Sequence, residues 1–136
     1  MVTAFDGLMK EVMDELESAL KDPEGLVVHQ RRLAFLLSLG TVALLEEYLK
    51  KKAVLKPGEK IDHRWLKKKK ENTKLLIAQR ITATIDSLPE IDELLDVAYM
   101  IEKDRNDMAY GKGVSEKIIR EKIDNFLALK KKVEYA

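Results

Sequence analysis

Apolar residues recur every three to four positions along most of this chain, and the period predicts helices rather than strands. Phe5, Leu8, Met9, Val12, Met13, Leu16, Ala19 and Leu20 mark a first helix. "KDPEG" interrupts it, where Asp22 can cap and Pro23 can open the next helix. The second helix is expected from about Pro23 to Leu55, ending at "KPGEK". Its middle is apolar nearly all round, as the central element of a bundle requires, and Gly40 inside it points to a close helix crossing. "IDHRWLKKKKENTK" reads as a loop or short helix, followed by a third helix carrying Leu75, Ile77, Ala78, Ile81 and Ile85. "SLPE" at Ser87–Glu90 has capping-box spacing. A fourth helix presents Ile91, Leu94, Leu95, Ala98, Ile101 and Met108, with Gly111 as its left-handed stop. A fifth begins near Ser115 and shows Ile119, Ile123, Phe126, Leu127 and Val133. Short connections between long helices predict an all-α, up-and-down antiparallel bundle of four to five helices in a single domain over residues 1–136.

Composition narrows the setting. At 136 residues, with 36% charged and 46% apolar residues, the chain can fold around one core. The absence of cysteine excludes disulfides and thiolate metal sites and suits a cytoplasmic protein. The longest charge-free run, Leu33–Leu45, is 13 residues, short of the about 20 that a membrane span needs, so no membrane role is expected. A net charge of +1 conceals three blocks. Residues 50–70 hold ten Lys/Arg against Glu59 and Asp62, residues 86–107 hold eight acids against Lys103 and Arg105, and residues 1–24 hold seven acids against two lysines.

The basic block supplies one candidate surface. Arg64, Trp65, Lys67, Lys68, Lys69 and Lys70 combine cations with an aromatic, which suits the phosphates and bases of RNA. The alternative is a solvated rim answered by the acidic first and fourth helices. No Gly-rich phosphate loop occurs, and the two histidines, His29 and His63, lie in separate segments without metal-ligand spacing, so neither a metal nor another cofactor is expected.

A second candidate is "IEKDRNDMAYGKG", Ile101–Gly113. Arg105 falls four residues after Ile101, toward the apolar side of the fourth helix, with Asp104 and Asp107 bracketing it. Arg105 and Tyr110 stand roughly 140° apart on an ideal helix and converge only if the helix loosens or a second subunit contributes. The plain alternative is a helix C-terminus in which Arg105 bonds exposed carbonyls and the flanking carboxylates.

The long apolar second helix, the polar connection and a fourth helix ending in "RNDMAYG" together resemble the HEPN family over essentially the whole chain. The resemblance implies a dimerising up-and-down bundle, with paired motifs often facing each other at the interface. Active members are metal-independent ribonucleases, frequently the toxin half of a toxin–antitoxin pair beside a minimal nucleotidyltransferase. Their signature is Arg, commonly followed by Asn, with a His four to six intervening residues later. Carried over, it makes Arg105 and Asn106 site residues and puts Tyr110 where the first allowed His would stand; the next two positions are Gly111 and Lys112. An ordinary tyrosine is about 0.1% ionised at pH 7, a roughly thousandfold handicap as a base. The sequence therefore leads to an RNA-directed homodimer in which Arg105, Asn106 and Tyr110 line a cleft and nuclease activity is weak or lost. The competing readings are a non-catalytic partner of a nucleotidyltransferase antitoxin, a nucleotide-binding homodimer, and a helical domain kept only for assembly.

Overall fold

The computed structural model describes residues 3–136; residues 1 and 2, which the single-domain reading includes, lie outside the described residues. The helices are α1 (Ala4–Lys21), α2 (Gln30–Lys51), α3 (Lys70–Ala78), α4 (Ile91–Glu102), α5 (Arg105–Ala109) and α6 (Glu116–Glu134), joined by short 3-10 turns at Val27–His29, His63–Lys67 and Ile85–Ser87. Side-chain contacts fix the directions. Val12 lies against Gly40 and Glu15 against Arg32, so α1 runs opposite to α2. Tyr48 bonds Glu90 while Ser38 bonds Glu102, so α4 also opposes α2. Lys122 meets Met100 and Lys132 meets Glu93, which makes α6 antiparallel to α4. The expected up-and-down bundle is present, built from α1, α2, α4 and α6, with α3 and α5 held in its connections.

Central α2 packs against α1, α4, α5 and α6. Leu33, Leu37, Leu44, Leu45 and Leu49 are buried with Val12, Leu16, Leu94, Ile119, Phe126 and Leu129. Leu20 and Leu127, placed on core faces by periodicity, are 48% and 37% exposed. Gly40 marks the close crossing that its position predicts: a Cβ there would stand 2.7 Å from the Phe126 ring and 3.3 Å from Val12.

Several boundaries differ from the expectation. Helix α2 starts at Gln30, because Asp22 accepts the Glu24 N–H in a tight turn instead of opening a helix at Pro23. It stops at Lys51, where Ala53 takes the left-handed conformation and Val54 N–H returns to the Leu49 carbonyl. Helix α3 ends at Ala78; Ile81 pairs with Leu55 in an isolated antiparallel bridge, and Ile85 belongs to a 3-10 turn. Ser87 does not form a capping box, since its hydroxyl donates to the Thr84 carbonyl. The left-handed glycine after α5 is Gly113 (φ 84°), not Gly111. The last helix begins where expected, and Ser115 caps it by accepting the Ile118 N–H.

The α1–α2 corner is pinned by a buried histidine. His29 places Nδ1 3.1 Å from Glu15 and Nε2 2.8 Å from Asp22, while Arg32 Nε reaches the same Glu15 oxygen at 3.0 Å. Two carboxylates facing two ring nitrogens favour the imidazolium, so Glu15 and then Asp22 raise the His29 pKa against the opposing effect of burial.

Two outcomes are expected. Gly40→Ala gains about 1 kcal/mol of helix propensity but forces Phe126 to move, an overpacking that costs about 1–3 kcal/mol. A lowered urea midpoint, partly restored by adding Phe126→Leu, checks the crossing. The raised His29 pKa contributes stability fully below the unfolded imidazole value of about 6.5, and that contribution is lost as pH rises through the higher folded value. Urea midpoints measured across this interval should fall with pH, and His29→Gln should flatten the trend.

Candidate functional site

The α4–α5 junction does not continue as one helix. Lys122 of α6 explains the break: its buried ammonium donates to the Met100 carbonyl at 2.6 Å and pairs with Asp104 at 2.8 Å. A cation at the C-terminal end of α4 satisfies a carbonyl left open there. Burial pushes the Lys122 pKa down, and Asp104 opposes the shift. Asp104 is thus committed to Lys122, not to its neighbour Arg105 as the bracketing carboxylates suggest. The chain restarts at Arg105 as the single turn α5 and closes through Gly113 N–H to the Asp107 carbonyl at 2.9 Å.

This break brings Arg105 and Tyr110 onto one residue. The Arg105 guanidinium lies 5.2 Å from the centre of the Phe35 ring of α2, and the Tyr110 ring meets Phe35 edge-on at 5.7 Å. Their convergence needs no second subunit. Only the arginine is sequestered, however: its side chain is 15% exposed, whereas Tyr110 is 72% exposed. Arg105 also donates to the Asn106 side-chain oxygen at 3.1 Å.

Beneath Arg105 sits a carboxylate that the sequence reading passed over. Glu102 is 0% exposed, although it ends the polar-rich α4. Its Oε1 accepts from Ser38 Oγ at 3.1 Å and lies 2.9 Å from His63 Nδ1 and 3.8 Å from Arg105 Nε. Glu102 Oε2 and Arg105 Nε are both buried without a hydrogen-bond partner. An isolated carboxylate there would be costly, and the imidazole and guanidinium are what compensate it. Glu102 stands three residues before Arg105, a spacing that in the expected continuous helix already puts the two on one face. His63 arrives from a segment 39 residues away, and no local spacing links it to Glu102.

Arg105 and His63 open onto a cleft of about 790 Å³, lined also by Phe35, Lys60, Asp62, Arg64, Trp65 and Arg80. The segment that shapes it starts at Asp62, which caps the His63–Lys67 turn by accepting the Arg64 N–H at 2.9 Å. Arg64 folds back onto Asp62, with NH2 2.6 Å from Oδ2, and these bonds hold the Asp62 carboxyl at about 2. Trp65 packs against the core with the Arg80 guanidinium 5.0 Å from its ring centre, and Arg80 in turn pairs with Glu59 at 3.1 Å. Leu66 is buried, which turns the lysines after it away from the cleft. Lys67, Lys68, Lys69 and Lys70 line a separate recess with Tyr99 and Met100.

Of the sequence-predicted residues, the structure therefore joins Arg105 with Arg64 and Trp65. Asn106 and Tyr110 do not line the cleft; they reach it through Arg105 and Phe35. The acids of α4 answer part of the basic block, through Lys70–Asp96 at 3.2 Å. Those of α1 pair with α1 lysines and with the His29 and Arg32 corner instead. Among the described residues, no group of three or more His, Asp or Glu is placed to hold a metal ion, and no helix is long and apolar enough to cross a membrane.

No family model, curated protein or solved structure matches this chain.

Replacing Lys122 by Met keeps most of its volume but strands Asp104 and the Met100 carbonyl. The expected loss is about 1–3 kcal/mol, the range for unsatisfied buried polar partners. Chemical denaturation measures it, and an unchanged midpoint would show that the α4–α5 break does not depend on this lysine.

Proposed function

We propose that the Arg105 cleft binds single-stranded RNA and that the chain is an RNA-directed, HEPN-like protein of toxin–antitoxin or defence type. The observation that carries this reading is the seating of Arg105. Phe35 packs against one side of the guanidinium and buried Glu102 fixes its approach, leaving further N–H donors for a phosphate at the mouth of the cleft. Around it stand Lys60, Arg64 and Arg80, with the Arg80 guanidinium over the Trp65 ring, an aromatic and a cation of the kind that hold a nucleobase.

Magnitudes assign the parts different tasks. Arg64, Arg80 and Arg105 each have a carboxylate close by, so the cleft itself carries little excess charge. Its recognition rests on directed hydrogen bonds and stacking. Lys67, Lys68 and Lys69 have no carboxylate within 4 Å among the described residues, so the adjoining recess supplies the attraction for a polyanion. A strand lying over the His63–Lys67 turn would touch both. The homodimer and the nucleotidyltransferase partner belong to the same reading. Tyr110 and Leu39, exposed beside the cleft, give a second protein an apolar foothold there.

Trp65 is the only tryptophan, so its emission reports on the cleft directly. Titrating the protein with single-stranded RNA should change Trp65 emission. Arg105→Ala should weaken binding by about 10- to 100-fold, the worth of a charge-assisted hydrogen bond. Substituting Lys67, Lys68 and Lys69 by Ala should reduce the salt slope of binding by about two, as expected for three lost phosphate contacts on a single strand. Binding that leaves both Trp65 emission and the Arg105→Ala affinity unchanged would sink the proposal.

A further inference from the structure

Arg105, at the start of α5, faces the cleft. The turn that follows α5, Gly111–Gly113, meets the start of α2 around a different recess of about 540 Å³, which shares no lining residue with the cleft. Arg31, Arg32 and Lys112 line this recess, and no carboxylate does. The cleft, by contrast, includes Asp62, and the lysine recess includes Asp96. Arg32 Nε lies 3.0 Å from Glu15, so its charge is largely answered and its direction is fixed. Arg31 and Lys112 have no carboxylate within 4 Å among the described residues and supply the excess positive charge.

Gln30 ties the walls together. Its side-chain oxygen accepts the Val114 N–H at 2.9 Å and its amide donates to the Val27 carbonyl at 3.2 Å, fastening the turn to the start of α2. Gly113, at φ 84°, admits this side chain: a Cβ there would stand 2.6 Å from the Gln30 oxygen. Gly111 and Gly113 both donate their N–H groups to the Asp107 carbonyl, at 3.2 and 2.9 Å, so the backbone on each side of Lys112 is fixed. Cations from two segments are thus gathered around one space in advance, which lowers the ordering cost of binding an anion.

We propose that this recess binds a small phosphomonoester. A phosphate dianion offers three terminal acceptor oxygens, enough to engage two guanidinium groups and an ammonium together, whereas a carboxylate offers two. No aromatic side chain lines the recess, so nothing there stacks on a base, which separates it from the surface assigned to RNA. Val27 and Val28 also line it and are 44% and 55% exposed, an apolar flank for the aliphatic part of the ester. Neither Arg31 nor Lys112 takes part in the RNA reading above, so the two sites can fail separately.

The test titrates the full chain with butyl phosphate and with succinate at constant ionic strength, followed by amide NMR shifts. Butyl phosphate should give saturable shifts at Arg31, Lys112 and Gly113 while Trp65 emission stays constant, and succinate should bind more weakly. Arg31→Gln and Lys112→Gln should each weaken butyl phosphate binding by about 10- to 100-fold, the worth of a charge-assisted hydrogen bond. Gln30→Ala removes no charge and should weaken it too, with helical circular dichroism confirming the fold of each variant. Lys67→Ala should bind as the wild type does. Shifts that rise without saturating, binding undiminished in Lys112→Gln, or succinate affinity equal to that of butyl phosphate overturns the proposal. An RNA affinity that falls in Lys112→Gln as far as the butyl phosphate affinity makes the recess part of the RNA path and overturns it as well.

Discussion

One buried oxygen organises this molecule. Glu102 Oε1 is approached by Ser38 from α2, by His63 from the α2–α4 connection and by Arg105 from α5, so three segments distant in the chain must agree on one point. Burying a carboxylate without partners would cost several kcal/mol, enough to threaten a domain whose whole stability is about 5–15 kcal/mol. The requirement to compensate it therefore constrains where the connection and α5 can go. The apolar bundle provides the rigid frame, and Glu102 converts that frame into a defined relation between side chains.

The frame reaches α5 through a second buried charge. Lys122 holds the end of α4 and Asp104 at once, ending the helix just before Arg105. Had α4 continued, Arg105 and Tyr110 would have diverged around its axis; with the break, both rest on Phe35. Two buried charges from separate elements thus produce one irregularity in an otherwise regular bundle.

The bundle was legible in the sequence because the 3.6-residue period states which faces must be covered. Gly40 was legible for an equally local reason: a glycine inside an apolar helix needs a close neighbour. The inward seating of Arg105 was legible too, from its place four residues after Ile101. The surroundings of that arginine were not. Asp104 and Asp107 flank it in sequence, yet Asp104 turns to Lys122 and Glu102 takes the place beside the guanidinium. His63 and Glu102 are linked by folding alone, since nothing periodic connects a 3-10 turn to a helix 39 residues later. The lysines after Trp65 looked continuous with it, but burial of Leu66 splits the basic block into two surfaces.

The isolated bridge between Leu55 and Ile81 has a consequence of its own. Lys56 N–H to the Arg80 carbonyl and Thr82 N–H to the Val54 carbonyl fasten the ends of the α2–α4 connection to each other. The intervening residues form a closed lobe that carries Lys60, Asp62, His63, Arg64, Trp65 and Arg80, while Phe35, Glu102 and Arg105 stay on the bundle. The cleft is the seam between these two bodies. Lobe and bundle are sewn together by few polar stitches, among them the Ile61 N–H to Glu46 at 2.7 Å and His63 to Glu102. Ile61, Leu66, Ile77 and Ile81 of this lobe are nevertheless buried in the same apolar core as the long helices. Parting the imidazole from the guanidinium would therefore uncover part of that core, so the integrity of the site is tied to the integrity of the fold in this protein.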